Sequence, residues 1–207
     1  MIEGRDMICH HPSEFSLLRC AAGTLPAPHA SVVIAHAARC AECAVALSEA
    51  AEIGGALLDA APAGALSVGA LPRVLERLGG AGRDPVPLPL SLAALTGRWR
   101  WIGPGIAMIK LIERDASNSR LDLIRVAPGT ALLEHGHGGL ETTCVLAGGF
   151  DDGGGAFHAG DFIETESADA HRPTALAGED CICLIATTGH LQARGVLGWL
   201  VRPLLGM

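Results

Sequence analysis

The chain has 207 residues, enough for one large domain or two small ones, and a net charge of −7 from 22 acids against 15 bases. With 49% hydrophobic and 18% charged residues it is not a disordered chain, and no run of about 18 uncharged apolar residues is present to span a bilayer as a helix. Residues 7–80 set only Arg19, Arg39, Arg73 and Arg77 against six acids, which argues against electrostatic binding to nucleic acid and leaves proteins or small molecules as partners.

The start, Ile2-Glu3-Gly4-Arg5, reads as an engineered protease-cleavage site, so residues 1–6 are taken as a vector remnant and Met7 as the native start. No secretory signal follows, and the expected compartment is the cytoplasm, where structural disulfides are rare. The seven cysteines are then better read as metal ligands or buried thiols than as a disulfide framework.

About four helices are expected first. Ser13 caps a helix ending near Ala22 before Gly23, and Pro28 suits the first turn of a second helix running to about Arg39. A third runs from about Cys43 to Ala60, with Leu47, Ala51 and Leu58 on one face. A fourth carries Leu71, Val74, Leu75 and Leu78 at helical spacing and stops at Gly79-Gly80. Cys20 is expected in the helical core.

Residues 81–92, with Pro85, Pro87 and Pro89, read as an extended linker. Beyond it the texture is that of short strands: within Trp99–Ile112, then Leu121–Val126, Glu141–Phe150, Asp161–Thr165 and Asp180–Thr188. Asp152-Gly153-Gly154-Gly155 marks a hairpin. The expected fold class is therefore two-domain, α followed by all-β. A helical bundle occupies residues 7–80, and a β-barrel or double-sheet jelly roll occupies residues 93–207.

Two constellations carry chemistry. His36, Cys40 and Cys43 form His-x3-Cys-x2-Cys, which on a continuous helix would share one face. Imidazole and thiolate donors suit a structural, tetrahedral zinc ion, and a fourth ligand must come from elsewhere. His11 is preferred, with His10 and Cys9 as the other candidates. No βαβ pattern supports a redox Cys-x2-Cys, and Ala44 rather than His follows Cys43, which excludes a haem attachment. A bundle this small is marginal alone, and a metal would help hold it.

The second constellation runs Gly129-x5-His135-x-His137-x3-Glu141-x6-Gly148, with His171 about thirty residues later. His135 and His137 lie two apart and so share one strand face, and Glu141 has the same parity. Three imidazoles and a carboxylate inside a barrel suit a first-row divalent metal. Cys144 has the opposite parity and should face away. Cys181 and Cys183, also two apart, should face one way together, either as a redox pair or as apolar packing.

At these residues the chain resembles the cupin superfamily, whose first motif is matched in full. The second is matched in part by Gly160 and His171, with Glu166, Ala168 and Ala175 standing where that family has Pro, Gly and Asn. Residues His11, His36, Cys40 and Cys43 resemble the zinc-binding anti-sigma domain. The order of helices, linker and cupin over residues 7–207 is similar to the ChrR-type anti-sigma factors. Shared features include Ala21-Ala22-Gly23-Thr24-Leu25 and Asp180-Cys181-Ile182-Cys183-Leu184.

The resemblance implies that the helical domain binds an extracytoplasmic-function-type sigma factor and keeps it from core polymerase. It also implies that the cupin domain controls release under oxidative stress, singlet oxygen in particular. Zinc is the expected metal of the helical domain and the expected metal of the cupin. Leu71, Val74, Leu75 and Leu78 are either part of the sigma-binding face or ordinary core. The alternative is a cupin metalloenzyme, a dioxygenase or isomerase, in which the helical domain is an accessory module.

Overall fold

The computed structural model describes residues 8–79, 99–166 and 171–193, and within them not the side chains of residues 77–79, 137 and 191–193. The expected linker over 81–92 and the remnant over 1–6 lie outside the described residues. Among the described residues four helices come first: α1 (Glu14–Ala21), α2 (Ala27–Ala37), α3 (Ala41–Asp59) and α4 (Ala70–Gly79). Eleven strands follow within the described residues: β1 (Arg100–Gly103), β2 (Ile106–Ile112), β3 (Ser119–Val126), β4 (His135–His137), β5 (Leu140–Ala147), β6 (Gly149–Asp151), β7 (Ala156–His158), β8 (Phe162–Glu166), β9 (Thr174–Ala175), β10 (Cys181–Thr188) and β11 (Leu191–Ala193). The α-then-β order expected from sequence is the order found.

Local signals place the helices. The Ser13 hydroxyl accepts the Ser16 N–H at 3.2 Å and caps α1, while Gly23 adopts a φ of 66° just past its end. Pro28 sits in the first turn of α2.

His36 and Cys43 fall on either side of a break between two helices, as the expected end of the second helix near Arg39 and start of the third near Cys43 imply. α2 ends at Ala37, and Cys40, at φ −108° and ψ 108°, is the N-cap of α3. The turn through Ala38 and Arg39 is closed by the Arg39 and Cys40 N–H groups, both donating to the His36 carbonyl at 2.8 and 2.9 Å. Neither Ala38 nor Arg39 is a helix breaker, so no residue type fixes where the break falls. It folds the three donors toward a point instead of spreading them along a helix face.

The strands form a six-stranded antiparallel sheet in the order β1-β2-β3-β10-β5-β8, with a three-stranded sheet β7-β6-β9 and a two-stranded ribbon β11-β4. The loop 152–155 joins β6 to β7, whose register pairs Phe150 with Phe157, so the Gly-rich hairpin is where the sequence places it. Gly148 turns the chain from β5 into β6 at a φ of 62°. A Cβ there would lie 2.6 Å from the Asp180 carbonyl oxygen, so only glycine fits.

The two faces of the large sheet do different work, because side chains alternate along each strand. One face presents Ile109, Leu121, Leu123, Cys144, Phe162, Leu184 and Ala186, which form a single apolar cluster with Leu17, Leu25, Val32, Val33 and Ala35 of the helical region. Val32 and Val33 of α2 are fully buried, and each contributes roughly 1.5–3 kcal/mol by leaving water. Cys144 thus faces the helices, as its parity predicts, and Cys20 packs at the edge of the same cluster. The other face, with Asp122, Ile124, Glu141, Thr143, Ile163, Cys183 and Ile185, lines an internal cavity of about 170 Å³.

Polar contacts reinforce this seam. Arg39 donates to the Leu146 carbonyl at 2.8 Å, and Ser13 donates to Glu164 at 2.9 Å. His29 of α2 is fully buried between Thr142 and Thr188, at 2.9 and 2.8 Å. Burial pushes its imidazole down from 6.5 to about 4, against the pull of Glu141, Glu164 and Asp115. The unfolded chain then binds a proton that the folded chain refuses. Stability is expected to be full above pH 6.5 and to fall as pH drops toward 4, by on the order of 3 kcal/mol from this group. Urea unfolding of the full chain across that range checks this: His29→Leu should flatten the acid limb, and an unchanged slope would contradict it.

Candidate functional site

The N-terminal strand-like segment and the α2–α3 turn build the first group. The donor atoms of His11, His36, Cys40 and Cys43 all lie within 4.8 Å of one another. His11 Nδ1 lies 3.4 Å from Cys40 Sγ and 3.5 Å from Cys43 Sγ, and His36 Nε2 lies 3.3 Å from Cys43 Sγ. A tetrahedral ion with zinc–sulfur and zinc–nitrogen bonds of ordinary length separates its ligands by about 3.3–3.8 Å. The donor set therefore fits zinc in chemistry and in spacing. His11 is the fourth donor of the group, whereas the His10 imidazole lies 3.4 Å from the Asp161 carboxylate and the Cys9 thiol is not among the gathered donors.

Electrostatics prepares this group for a cation. His36 is fully buried, and burial lowers its pKa, which keeps the imidazole neutral. Its Nδ1 donates to the Gly160 carbonyl at 2.8 Å, which leaves the Nε2 lone pair facing the thiols. Burial, and then the neighbouring Cys40, push the Cys43 thiol up to about 12. A bound divalent cation would reverse that by favouring the thiolate.

The support for this group comes from the β region. Gly160, at a φ of 104°, lies against the Ile8 side chain, which a Cβ would meet at 2.6 Å. The next residue, Asp161, accepts from the N–H groups of Cys9, His10 and His158 at 2.9, 3.1 and 2.8 Å. Burial would raise its carboxyl, but these donors hold it below its usual value. The Phe162 N–H closes the seam on the His10 carbonyl at 3.0 Å.

The second group sits at the mouth of the cavity. Donor atoms of His135, Glu141 and His171 come together within 4.8 Å. His135 and His171 face each other across an isolated antiparallel bridge and exchange backbone hydrogen bonds at 3.1 and 3.0 Å. Their Nε2 atoms are 3.2 Å apart. His135 Nδ1 donates to the Leu133 carbonyl at 2.7 Å, so its Nε2 lone pair is turned to His171. Two imidazole nitrogens at that spacing beside a buried carboxylate suit a divalent cation. Thr187 donates to Glu141 at 3.4 Å and orients it. His137 is on β4 opposite Leu191; its side chain lies outside the described residues.

Cys181 and Cys183 also line this cavity, with their sulfurs 3.6 Å apart. The hydrogen bond between the two thiols holds the Cys183 thiol up and the Cys181 thiol down. Beyond them Arg120 and Asp122 form a buried pair at 3.0 Å. No sequence signal marked that pair, because its residues read as ordinary strand.

The fourth expected cluster is an exposed apolar face. On α4, Leu71, Val74 and Leu75 are 67%, 48% and 57% exposed, and the Leu78 side chain lies outside the described residues. The second half of α3 adds Ile53, Leu57 and Leu58, all more than half exposed. Leu71, Val74 and Leu75 are therefore not core residues of this chain.

A metal-suited His/Cys group on helices, seated on a cupin-type double sheet with its own His/Glu group, defines a narrow class of protein. Residues 92–192 match the family model described as the ChrR cupin-like domain. The chain is 35% identical over 209 residues to the anti-sigma-E factor ChrR of Cereibacter sphaeroides, covering 95% of this chain and 97% of that one. A crystal structure of Rhodobacter sphaeroides SigE in complex with the anti-sigma ChrR matches with a TM-score of 0.72 and 36% identity, covering 87% of this chain and 100% of that chain. The chain belongs to the ChrR family of anti-sigma factors. No described helix is long and apolar enough to cross a membrane.

Full-length protein prepared without chelator should carry close to two divalent ions. Cys40→Ser should remove one and His135→Ala the other, with the thiol-bound ion lost as pH falls because protons compete for the sulfurs. Elemental analysis decides: a single ion that survives His135→Ala would remove the second group from the account.

Proposed function

We propose that the chain is an anti-sigma factor for an extracytoplasmic-function-type sigma factor. The helical domain, residues 7–80, binds the sigma factor and keeps it from core polymerase, in the cytoplasm. The cupin domain, residues 93–207, reached through the 81–92 linker, controls release under singlet oxygen stress. The carrying observation is the relationship to a ChrR anti-sigma factor across nearly the whole of both chains. The exposed apolar side chains of Leu57 and Leu58 on α3 and of Leu71, Val74 and Leu75 on α4 support it, because large apolar groups left in water on two helices suit contact with a partner.

In this reading His11, His36, Cys40 and Cys43 hold a structural zinc ion that ties the N-terminal segment to the α2–α3 turn. His135, His137, Glu141 and His171 hold the cupin metal, also zinc. Cys181 and Cys183 are the oxidisable groups beside it. The protein is not an enzyme: inhibition is a docking event, and release requires only that the cupin favour the free state over the bound one.

The enzyme alternative draws on one feature, the 170 Å³ cavity that opens onto His135, Glu141 and His171. Iron or manganese in place of zinc, with turnover of a small molecule lost in His171→Ala, would favour it.

Leu71→Asp with Leu75→Asp in the full chain should weaken binding to the cognate sigma factor by tenfold or more, since central apolar contacts carry most of an interface. His171→Ala should leave affinity within a few-fold but blunt transcription induced by singlet oxygen. Calorimetry and a reporter strain measure the two. Normal affinity in the aspartate variant would refute the docking face, and normal induction without the cupin metal would refute the release role.

A further inference from the structure

A line of buried and half-buried hydrogen bonds runs along the helix side of the large sheet, directly behind the cavity. Ser119 of β3 bonds Thr188 of β10 at 2.6 Å, Thr188 bonds His29 Nε2 at 2.8 Å, and His29 Nδ1 bonds Thr142 of β5 at 2.9 Å. Each hydroxyl residue is the chain neighbour of a cavity residue: Ser119 of Arg120, Thr188 of Thr187, Thr142 of Glu141. The register sets those three cavity residues in a row, with Thr187 opposite both Arg120 and Glu141. The two rows are the front and back of the same stretch of sheet.

Packing does not call for this line. His29 sits near Val32 and Val33, which bury apolar side chains against the sheet, and an aliphatic residue in its place would serve that cluster without needing partners. A neutral imidazole has one donor and one acceptor nitrogen, so one of Thr142 and Thr188 donates to the ring and the other accepts from it. Both strands must therefore hold their places for the ring to stay satisfied, and a displaced partner leaves a buried polar atom unpaired. The helix that carries His29 in its first turn carries His36 in its last, seven residues and about 10 Å further on.

We propose that His29 is the coupling residue between the cupin cavity and the helical region. It grips β5 and β10 from behind, so that a shift of Glu141 or Thr187 in the cavity is passed to α2 and along it to the His/Cys group. This rests on the reading that the cupin domain governs release. It supplies the contact through which that control acts.

The test is a double-mutant cycle on the zinc-loaded full chain, read by hydrogen exchange of the α2 amides. His171→Ala, which breaks the cupin group, should speed α2 exchange about fivefold or more in the wild-type background. In the His29→Leu background the same change should move it less than about twofold. Thr142→Val, which removes the partner from the strand side, should reproduce the loss of coupling even where His29→Leu folds poorly. His29→Gln, which keeps a donor and an acceptor, should restore part of it. Equal acceleration in both backgrounds, or none in the wild type, overturns the proposal. Sigma release is followed separately in the same proteins. Exchange that is coupled through His29 while release ignores the cupin group would confirm the contact and strike the release role instead.

Discussion

Everything in this chain hangs on the two faces of one antiparallel sheet. Strand alternation puts Leu121, Leu123, Cys144 and Leu184 behind and Asp122, Glu141, Thr143, Cys183 and Ile185 in front. The back face is too apolar to meet water, and α2 covers it with Val32 and Val33. The front face closes over a cavity whose mouth holds His135, Glu141 and His171. A helical region that sits on the back of a sheet feels what happens on its front through one layer of backbone. The linker prolines imply an independent helical module, whereas the shared apolar cluster and the hydrogen bonds to Gly160, Leu146, Thr142 and Thr188 tie its first three helices to the sheet.

The His/Cys group shows the same dependence at atomic scale. Its spacing fits zinc, but the tautomer of His36 is fixed by a carbonyl of the β7–β8 loop, and the segment bearing His11 is tied down by Asp161 of that loop. A metal ion there would weld three chain segments, with its binding energy counted as folding energy. α4 and the far half of α3 stand apart from this construction. Their apolar side chains face solvent, which leaves them available to a partner while the rest of the helical region is committed to the sheet.

The ligand sets were legible in the sequence because their physics is local. His135 and Glu141 share a parity, and His36, Cys40 and Cys43 fall within eight residues. The shape of the His/Cys set was legible only in part. A break between the second and third helices was expected, but Ala38 and Arg39 carry no breaker, so the tight turn that gathers the donors, with Cys40 as the N-cap of α3, was not. His29 gave no signal at all. Its partners lie 113 and 159 residues away, and a lone histidine on an apolar helix face looks like any buried side chain. Gly160 was visible as a cupin-motif glycine and Asp161 as the start of a strand, but their task of holding the other metal group appears only when the two regions are packed together.

The central claim is a division of surfaces: α2 is committed to the sheet, while α4 and the outer half of α3 are offered to the sigma factor. Site-specific photo-cross-linking in cells tests it most directly, with a benzoylphenylalanine placed in turn at Leu57, Leu71 and Leu75, and at the exposed Trp101 of β1 as a control. The three helical positions are expected to cross-link to the sigma factor and to lose that product under singlet oxygen, with no product from Trp101. Cross-links from Trp101 alone, or helical cross-links that persist unchanged through the stress, would contradict the account.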